Sequence, residues 1–153
     1  MGQLSKDIIK ILKGNNLEFT EFEHDAVYTC KEAANIRGLK SEKEGIKAML
    51  FKTNKGGFLL VLGPGTERVD SKKVAKMEGV KSLKLASPEG VKNITTVEIG
   101  CVAPFGYKNE IKTYVNDLLF ENEFLYFNPG SHTMTIKMKS MDLLKVVPHA
   151  VRF

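Results

Sequence analysis

Lys47 opens an apolar run, Ile46-Lys-Ala-Met-Leu-Phe51. In an extended strand its side chain shares a face with Met49 and Phe51, and a charge on a buried face needs an anionic partner or a route to water. A compact ammonium in that position can bind a phosphate or orient a carbonyl. A strand-end lysine reaching to solvent is the plainer alternative. The second feature is the loop Gly100-Cys101-Val102-Ala103-Pro104-Phe105-Gly106. Glycines let a backbone approach a ligand closely and Pro104 stiffens the path, so the loop's N–H groups can hold a carbonyl, a developing oxyanion or a water. The same residues also suit a tight connection between strands. The third feature, Asn128-Pro129-Gly130-Ser131-His132, reads on its own as a hairpin turn. Ser131 and His132 have no acid at a spacing that would make a Ser-His-Asp triad.

Asp117 can cap a turn or orient a loop of a site, and His24 and Tyr28 suit hydrogen-bonded structural roles. Lys72, Lys73 and Lys76 form either a solvated helix face or a contact for RNA phosphates. The two cysteines, Cys30 and Cys101, belong to no CxxC or Cys/His cluster, and the three histidines are scattered, so a structural zinc site is not expected. Both cysteines are expected to be reduced thiols. The net charge of +5 suits a polyanionic partner such as RNA. The lysines are dispersed and Trp is absent, which favours reading of shape or phosphates over reading of bases.

These residues must be positioned by a modest set of elements. At 153 residues with 42% apolar composition the chain is expected to be one globular domain spanning 1–153. Its longest apolar runs are too short to span a bilayer, and residues 1–13 lack the pattern of a signal peptide, so a cytoplasmic location is expected. Leu4, Ile8, Ile11 and Leu12 fall at helical spacing before Gly14. Residues 17–23 alternate as a strand. Thr29-Cys-Lys-Glu32 is a capping box that starts a helix over 30–37, stopped by Gly38. Residues 46–51 and 58–62 flank Asn54-Lys-Gly-Gly57 as a hairpin, and being apolar on both faces they are expected to be central strands. Ser71 caps a helix ending at Gly79, and Ser87-Pro88 starts another. Strands are expected at 97–99, 111–115, 124–127 and 133–138, with a last helix capped by Ser140. The fold class is therefore α+β, with a mixed, largely antiparallel and barrel-like sheet packed by short helices.

In this order the pieces resemble the YbaK/aminoacyl-tRNA synthetase-associated family. The matching elements are His24 with Tyr28-Thr29-x-x-Glu32-Ala33, Lys47-Ala48-Met-Leu-Phe51, Phe58-Leu-Leu-Val-Leu62, a helix near Asp70-Ser71, Gly100-x-x-x-Pro104-Phe105-Gly106, Asp117, Gly130, and the strand 133–138 followed by Asp142-Leu143. The family includes free-standing deacylases and the editing insertion of bacterial prolyl-tRNA synthetases. The resemblance implies hydrolysis of the ester between an amino acid and the terminal adenosine of tRNA. It places the lysine role on Lys47 and the ester-positioning role on Gly100, Cys101, Val102, Ala103 and Pro104. It places substrate contacts on Tyr28, Ala48, Phe105, Gly106, Asp117, Asn128, Gly130, Ser131 and His132. No metal, covalent nucleophile or organic cofactor is implied. The implied partners are aminoacyl-tRNA and, in some members, a prolyl-type synthetase. Ala48 and Pro129 depart from the family pattern, so alanine, cysteine, serine and proline-like substrates stay open. A non-catalytic tRNA- or nucleotide-binding module of the same fold is the alternative.

Overall fold

The computed structural model describes residues 2–28, 30–37 and 42–153. The expected cap at Thr29 and stop at Gly38 lie outside the described residues.

Helix α1 (Gln3–Gly14) buries Leu4, Ile8 and Leu12 along one stripe and turns its lysines outward. Strand β1 (Phe19–Glu23) follows, then α2 (Cys30–Arg37). The Glu32 carboxylate takes the Tyr28 N–H at 3.1 Å, so the acid of the capping box reaches back one residue beyond the expected cap. Strands β2 (Ile46–Thr53) and β3 (Phe58–Pro64) pair antiparallel, with Lys47 opposite Gly63. Helix α3 (Ser71–Glu78) is capped by Asp70, whose carboxylate accepts from Lys73 N–H, and not by Ser71 as expected; a carboxylate holds that site better against the partial positive charge of the helix start. Gly79 ends it in the left-handed conformation.

Strand β4 (Leu83–Leu85) and helix α4 (Pro88–Thr95), capped by Ser87, come next. The strand expected at 97–99 is absent: the Thr95 hydroxyl takes the Val97 N–H, and Cys101 N–H closes a turn onto Glu98. Strand β5 (Thr113–Val115), a 3-10 turn (Asp117–Glu121), β6 (Phe124–Phe127) and β7 (Met134–Lys139) lead to a 3-10 turn (Ser140–Asp142) and α5 (Leu143–Val146). Ser140 is buried inside that turn and caps nothing with its side chain. Strand β8 (Ala150–Arg152) closes the fold.

The strands form two sheets where one curled sheet was expected. One is antiparallel with order β1-β7-β6; the other has order β4-β2-β3-β5-β8, antiparallel through β3 and parallel through β5 and β8. A single parallel bridge, Gly45 to Tyr126, joins them. The larger core gathers α1, Leu50, Leu60, Leu62, Ala103, Phe105, Phe127, Ile136 and Met138. A smaller core lies on the other face of the five-stranded sheet, where Phe51, Leu59, Val61 and Tyr114 meet Val74 of α3. Two covered faces explain why the 46–51 and 58–62 runs are apolar throughout.

Candidate active site

The loop 100–106 and the loop 128–132 are locked together by one side chain. Asn128 Nδ2 donates to the Gly100 carbonyl at 3.0 Å, and Asn128 Oδ1 accepts from the N–H groups of Gly130 (2.8 Å) and Ser131 (2.7 Å). The Asn128 amide thereby ties three backbone groups on two loops. Gly100 has φ +91°, and a methyl group placed there would lie 3.3 Å from His132 Cε1. Both the backbone angle and the contact require glycine. His132 Nδ1 lies 2.8 Å from the Val27 carbonyl, which can only accept, so Nδ1 carries a proton; in the tautomer with that proton alone, Nε2 is an acceptor. Tyr28 lies against the same ring, tilted by 43° at 4.4 Å between centroids, while remaining 70% exposed. The Ser131 hydroxyl is turned to Thr133.

Helix α1 braces both loops. A methyl group at Gly106 (φ +106°) would sit 2.6 Å from Ile8 Cγ1, and one at Gly130 (φ +93°) would sit 3.0 Å from Leu4 Cδ2. The buried Ser5 hydroxyl donates to the Pro129 carbonyl at 2.6 Å. Beside the 128–132 loop lies a groove of about 490 Å³ whose lining includes Ser5, Glu23, His24, Gly130 and Ser131. His24 is fixed there by Thr135 Oγ1 and the Asp25 carbonyl.

The loop's own hydrogen bonds narrow what it can offer. Cys101 N–H is used by Glu98. Ala103 N–H donates to the Tyr107 hydroxyl (2.8 Å), which itself donates to the Ala103 carbonyl (2.6 Å). Burial pushes the Tyr107 phenol well above its ordinary pKa, so it stays neutral and keeps this clasp closed. Pro104 has no N–H. The N–H groups of Gly100, Val102, Phe105 and Gly106 are left without an acceptor among the described residues. Tyr107 is a residue that sequence reading missed, since nothing at position 107 marks it as a clasp.

Cys101 is buried, its thiol against Asn128 and the His132 backbone. Burial raises its pKa, and the nearby Glu98 charge adds to that, against the hydrogen bond from Asn128. A protonated, enclosed thiol is a poor nucleophile. The side chains of Ala103 and Phe105 belong to the larger core.

None of the contacts that build this clamp involves Lys47. Its ammonium donates to the Glu67 carbonyl at 2.5 Å. Met49 and Phe51, two and four residues on, pack in the smaller core under α3, whereas Ala48 packs with the larger one. Opposite Lys47, Gly63 has no side chain, and a methyl group there would lie 3.8 Å from Asn116 Cβ. Asn116 Oδ1 caps the following turn through Leu118 N–H, the role considered for Asp117. Asp117 itself is exposed and paired with Arg152 at 2.6 Å. The structure thus joins Tyr28, Gly100, Cys101, Asn128, Gly130, Ser131 and His132 through direct contacts, and sets Lys47 beside Gly63, Glu67 and Asn116. Among the described residues no group of three or more His, Cys, Asp or Glu side chains could hold a metal ion.

The molecule is thus an α+β fold of two sheets with a glycine-rich loop clamped by an asparagine. The chain belongs to the aminoacyl-tRNA editing domain family, whose model matches residues 24–146. It is 28% identical over 151 residues to the multifunctional Ser/Thr-tRNA deacylase ProXp-y of Escherichia coli strain K12, covering 95% of this chain and 90% of that protein. It is 30% identical over 126 residues to the proline–tRNA ligase of Thermodesulfovibrio yellowstonii, covering 82% of this chain but only 21% of the ligase. Among solved structures, a hypothetical protein, APE2540, superposes with TM-score 0.86 at 24% identity, over 95% of this chain and 96% of that one. A protein provisionally assigned as a trans-editing enzyme for prolyl tRNA synthetase superposes with TM-score 0.84 at 24% identity, over 100% and 96%. Both structures bear on the fold alone.

Proposed function

We propose that this protein hydrolyses mischarged aminoacyl-tRNA in trans, cutting the ester at the terminal adenosine and releasing a small amino acid. Serine heads the candidates, ahead of alanine and cysteine, because the Escherichia coli relative is named for Ser/Thr-tRNA. The observation that carries the reading is the Gly100 corner: a loop held by Asn128, with N–H donors at Gly100 and Val102 that no described residue takes and the His132 ring against Gly100.

In the reaction a water oxygen attacks the ester carbonyl carbon, and the bond from that carbon to the ribose oxygen breaks. The water's proton goes to the departing ribose oxygen, giving the free amino acid and tRNA with its terminal hydroxyl restored. The Gly100 and Val102 N–H groups hold the carbonyl oxygen as it gains charge, and their prior fixing by Asn128 means little reorganisation during reaction. Cys101, Ala103, Pro104, Phe105 and Gly106 give the loop its shape. Tyr28 offers an exposed ring on which the terminal base stacks. Lys47 has two further N–H donors beyond the one given to Glu67, and these hold the phosphate end of the terminal nucleotide. The groove beside Gly130 and Ser131 receives the amino acid.

This chemistry belongs in the cytoplasm beside translation, with aminoacyl-tRNA as substrate and a prolyl-type synthetase as a partner supported by the similarity to a proline–tRNA ligase. No helix among the described residues is long and apolar enough to cross a membrane. Release of amino acid from seryl-, alanyl- and cysteinyl-tRNA tests the reading; tight tRNA binding without release from any of them would replace it with a binding module.

A further inference from the structure

A second groove, of about 500 Å³, runs between α3 and the turn into β4, and its lining includes Ser71, Lys72, Ala75, Lys76, Lys81 and Ser82. Its three lysines are exposed, and none has a carboxylate partner among the described residues. Lys72 and Lys76 stand one helical turn apart on the same face, a repulsive pair when nothing lies between them. The acid that α3 does carry, Glu78, is turned away and held by Lys112 and Tyr114, each at 2.7 Å. Lys81 sits on a fixed backbone: Asn54 Oδ1 accepts from its N–H at 2.9 Å and from Ser82 N–H at 3.3 Å. Small Ala75 keeps the floor low between the charges. The groove therefore concentrates three ammonium groups on rigid supports, with serine hydroxyls beside them and no carboxylate in its lining among the described residues.

Lys47 is tied to the segment that leads into α3. Glu67, whose carbonyl takes the Lys47 ammonium, lies three residues before the Asp70 cap of α3. Met49 and Phe51 of β2 lie on the sheet face that Val74 of α3 covers.

We infer that the α3–β4 groove binds the phosphate backbone of the tRNA body through Lys72, Lys76 and Lys81, outside the site that holds the terminal nucleotide. The identity of the polyanion rests on the proposed function; the groove's preference for phosphates rests on its own charge and shape. Ammonium groups spaced along a helix neutralise backbone charge without reading bases, so the contact is sequence-tolerant and salt-sensitive.

The test uses uncharged tRNA, so that it does not depend on hydrolysis. Binding is measured by fluorescence anisotropy over a series of salt concentrations for the wild type, for Lys72→Gln/Lys76→Gln/Lys81→Gln, and for an equal-charge control on α1, Lys6→Gln/Lys10→Gln/Lys13→Gln. Loss of three phosphate contacts makes the slope of log affinity against log salt shallower by about two to three, and lowers low-salt affinity at least tenfold, in the groove variant alone. Equal losses in the groove variant and the α1 control would overturn the inference, as would wild-type binding by the groove variant. Loss of binding to phosphatidylserine vesicles with tRNA binding intact would assign the groove to a lipid surface and overturn it as well. A wild type that binds tRNA through the groove yet releases no amino acid would reject the proposed function and leave this inference standing.

Discussion

Asn128 holds Gly100 by its carbonyl, at 3.0 Å, from a loop 28 residues further along the chain. The same amide accepts two N–H groups of its own loop, so it fixes the relative position of the two segments from which the candidate site is built. Replacing it with alanine leaves those three backbone groups to water or unpaired. Asn128→Ala is expected to destabilise the fold by about 1–3 kcal/mol and to lower deacylation far more than tRNA binding. Thermal unfolding and separate kcat and KM values on one mischarged tRNA check this; unchanged kcat in a folded variant would remove the clamp from the mechanism.

Gly106 and Ile8 form a close-packed pair, with no room for a methyl group between them and a positive φ at the glycine. Gly106→Ala is expected to cost about 1–3 kcal/mol or more through overpacking and backbone strain. Ile8→Ala is costly alone but removes Cγ1, the atom that the added methyl group would meet, and so makes space for it. In a double-mutant cycle the pair should therefore show favourable coupling of about 0.5 kcal/mol or more. Additive losses would mean that strain at φ +106° alone sets the cost.

Thr96 ends α4 in the left-handed conformation, φ +66°, which is unfavourable for a β-branched residue. Thr96→Gly is expected to raise stability, by about 1 kcal/mol, because relief of the left-handed strain exceeds the extra freedom glycine gives the unfolded chain. A lower midpoint in chemical denaturation would contradict it.

Cys101 lies inside the glycine loop, but burial raises its thiol pKa and Glu98 reinforces the effect. The thiol is neutral at pH 7, and its thiolate gains population only as pH climbs past the ordinary cysteine range. Alkylation of Cys101 in the folded protein is therefore expected to be slower than that of a free thiol at pH 8, and to accelerate on denaturation. Cys101→Ala should keep most of the hydrolysis, whereas loss of activity with normal stability would give the sulfur a direct role.

Much of this arrangement is legible in the sequence, and the failures have physical causes. The β2–β3 hairpin and α1 carry their signals locally, in apolar spacing and glycine turns. Strands β4 and β8 are three residues each and exist because β2 and β5 offer free edges, so no periodicity announces them. The 97–99 segment has strand-forming residues, yet hydroxyl and backbone bonds at Thr95 and Glu98 turn it instead. At the site, the residue types at positions 47, 100, 128 and 132 were visible. Their grouping was not: the side chains at Met49 and Phe51 go to the α3 face while Ala103 and Phe105 go to the opposite core, and only the folded sheet reveals that division. Tyr107 and Asn116 act through hydrogen bonds whose partners are set by tertiary position, which a linear pattern does not encode.

The central claim is ester hydrolysis at the Gly100 corner with Lys47 holding the substrate. Its most direct measurement is single-turnover release of amino acid from seryl-, alanyl- and cysteinyl-tRNA, with wild type and Lys47→Ala side by side and folding checked by circular dichroism. The expected result is release by the wild type from one or more of the three, seryl-tRNA foremost, and at least a hundredfold slower release by folded Lys47→Ala. Equal rates for the two proteins would contradict the role of Lys47, and no release by the wild type from any of the three would contradict the hydrolysis itself.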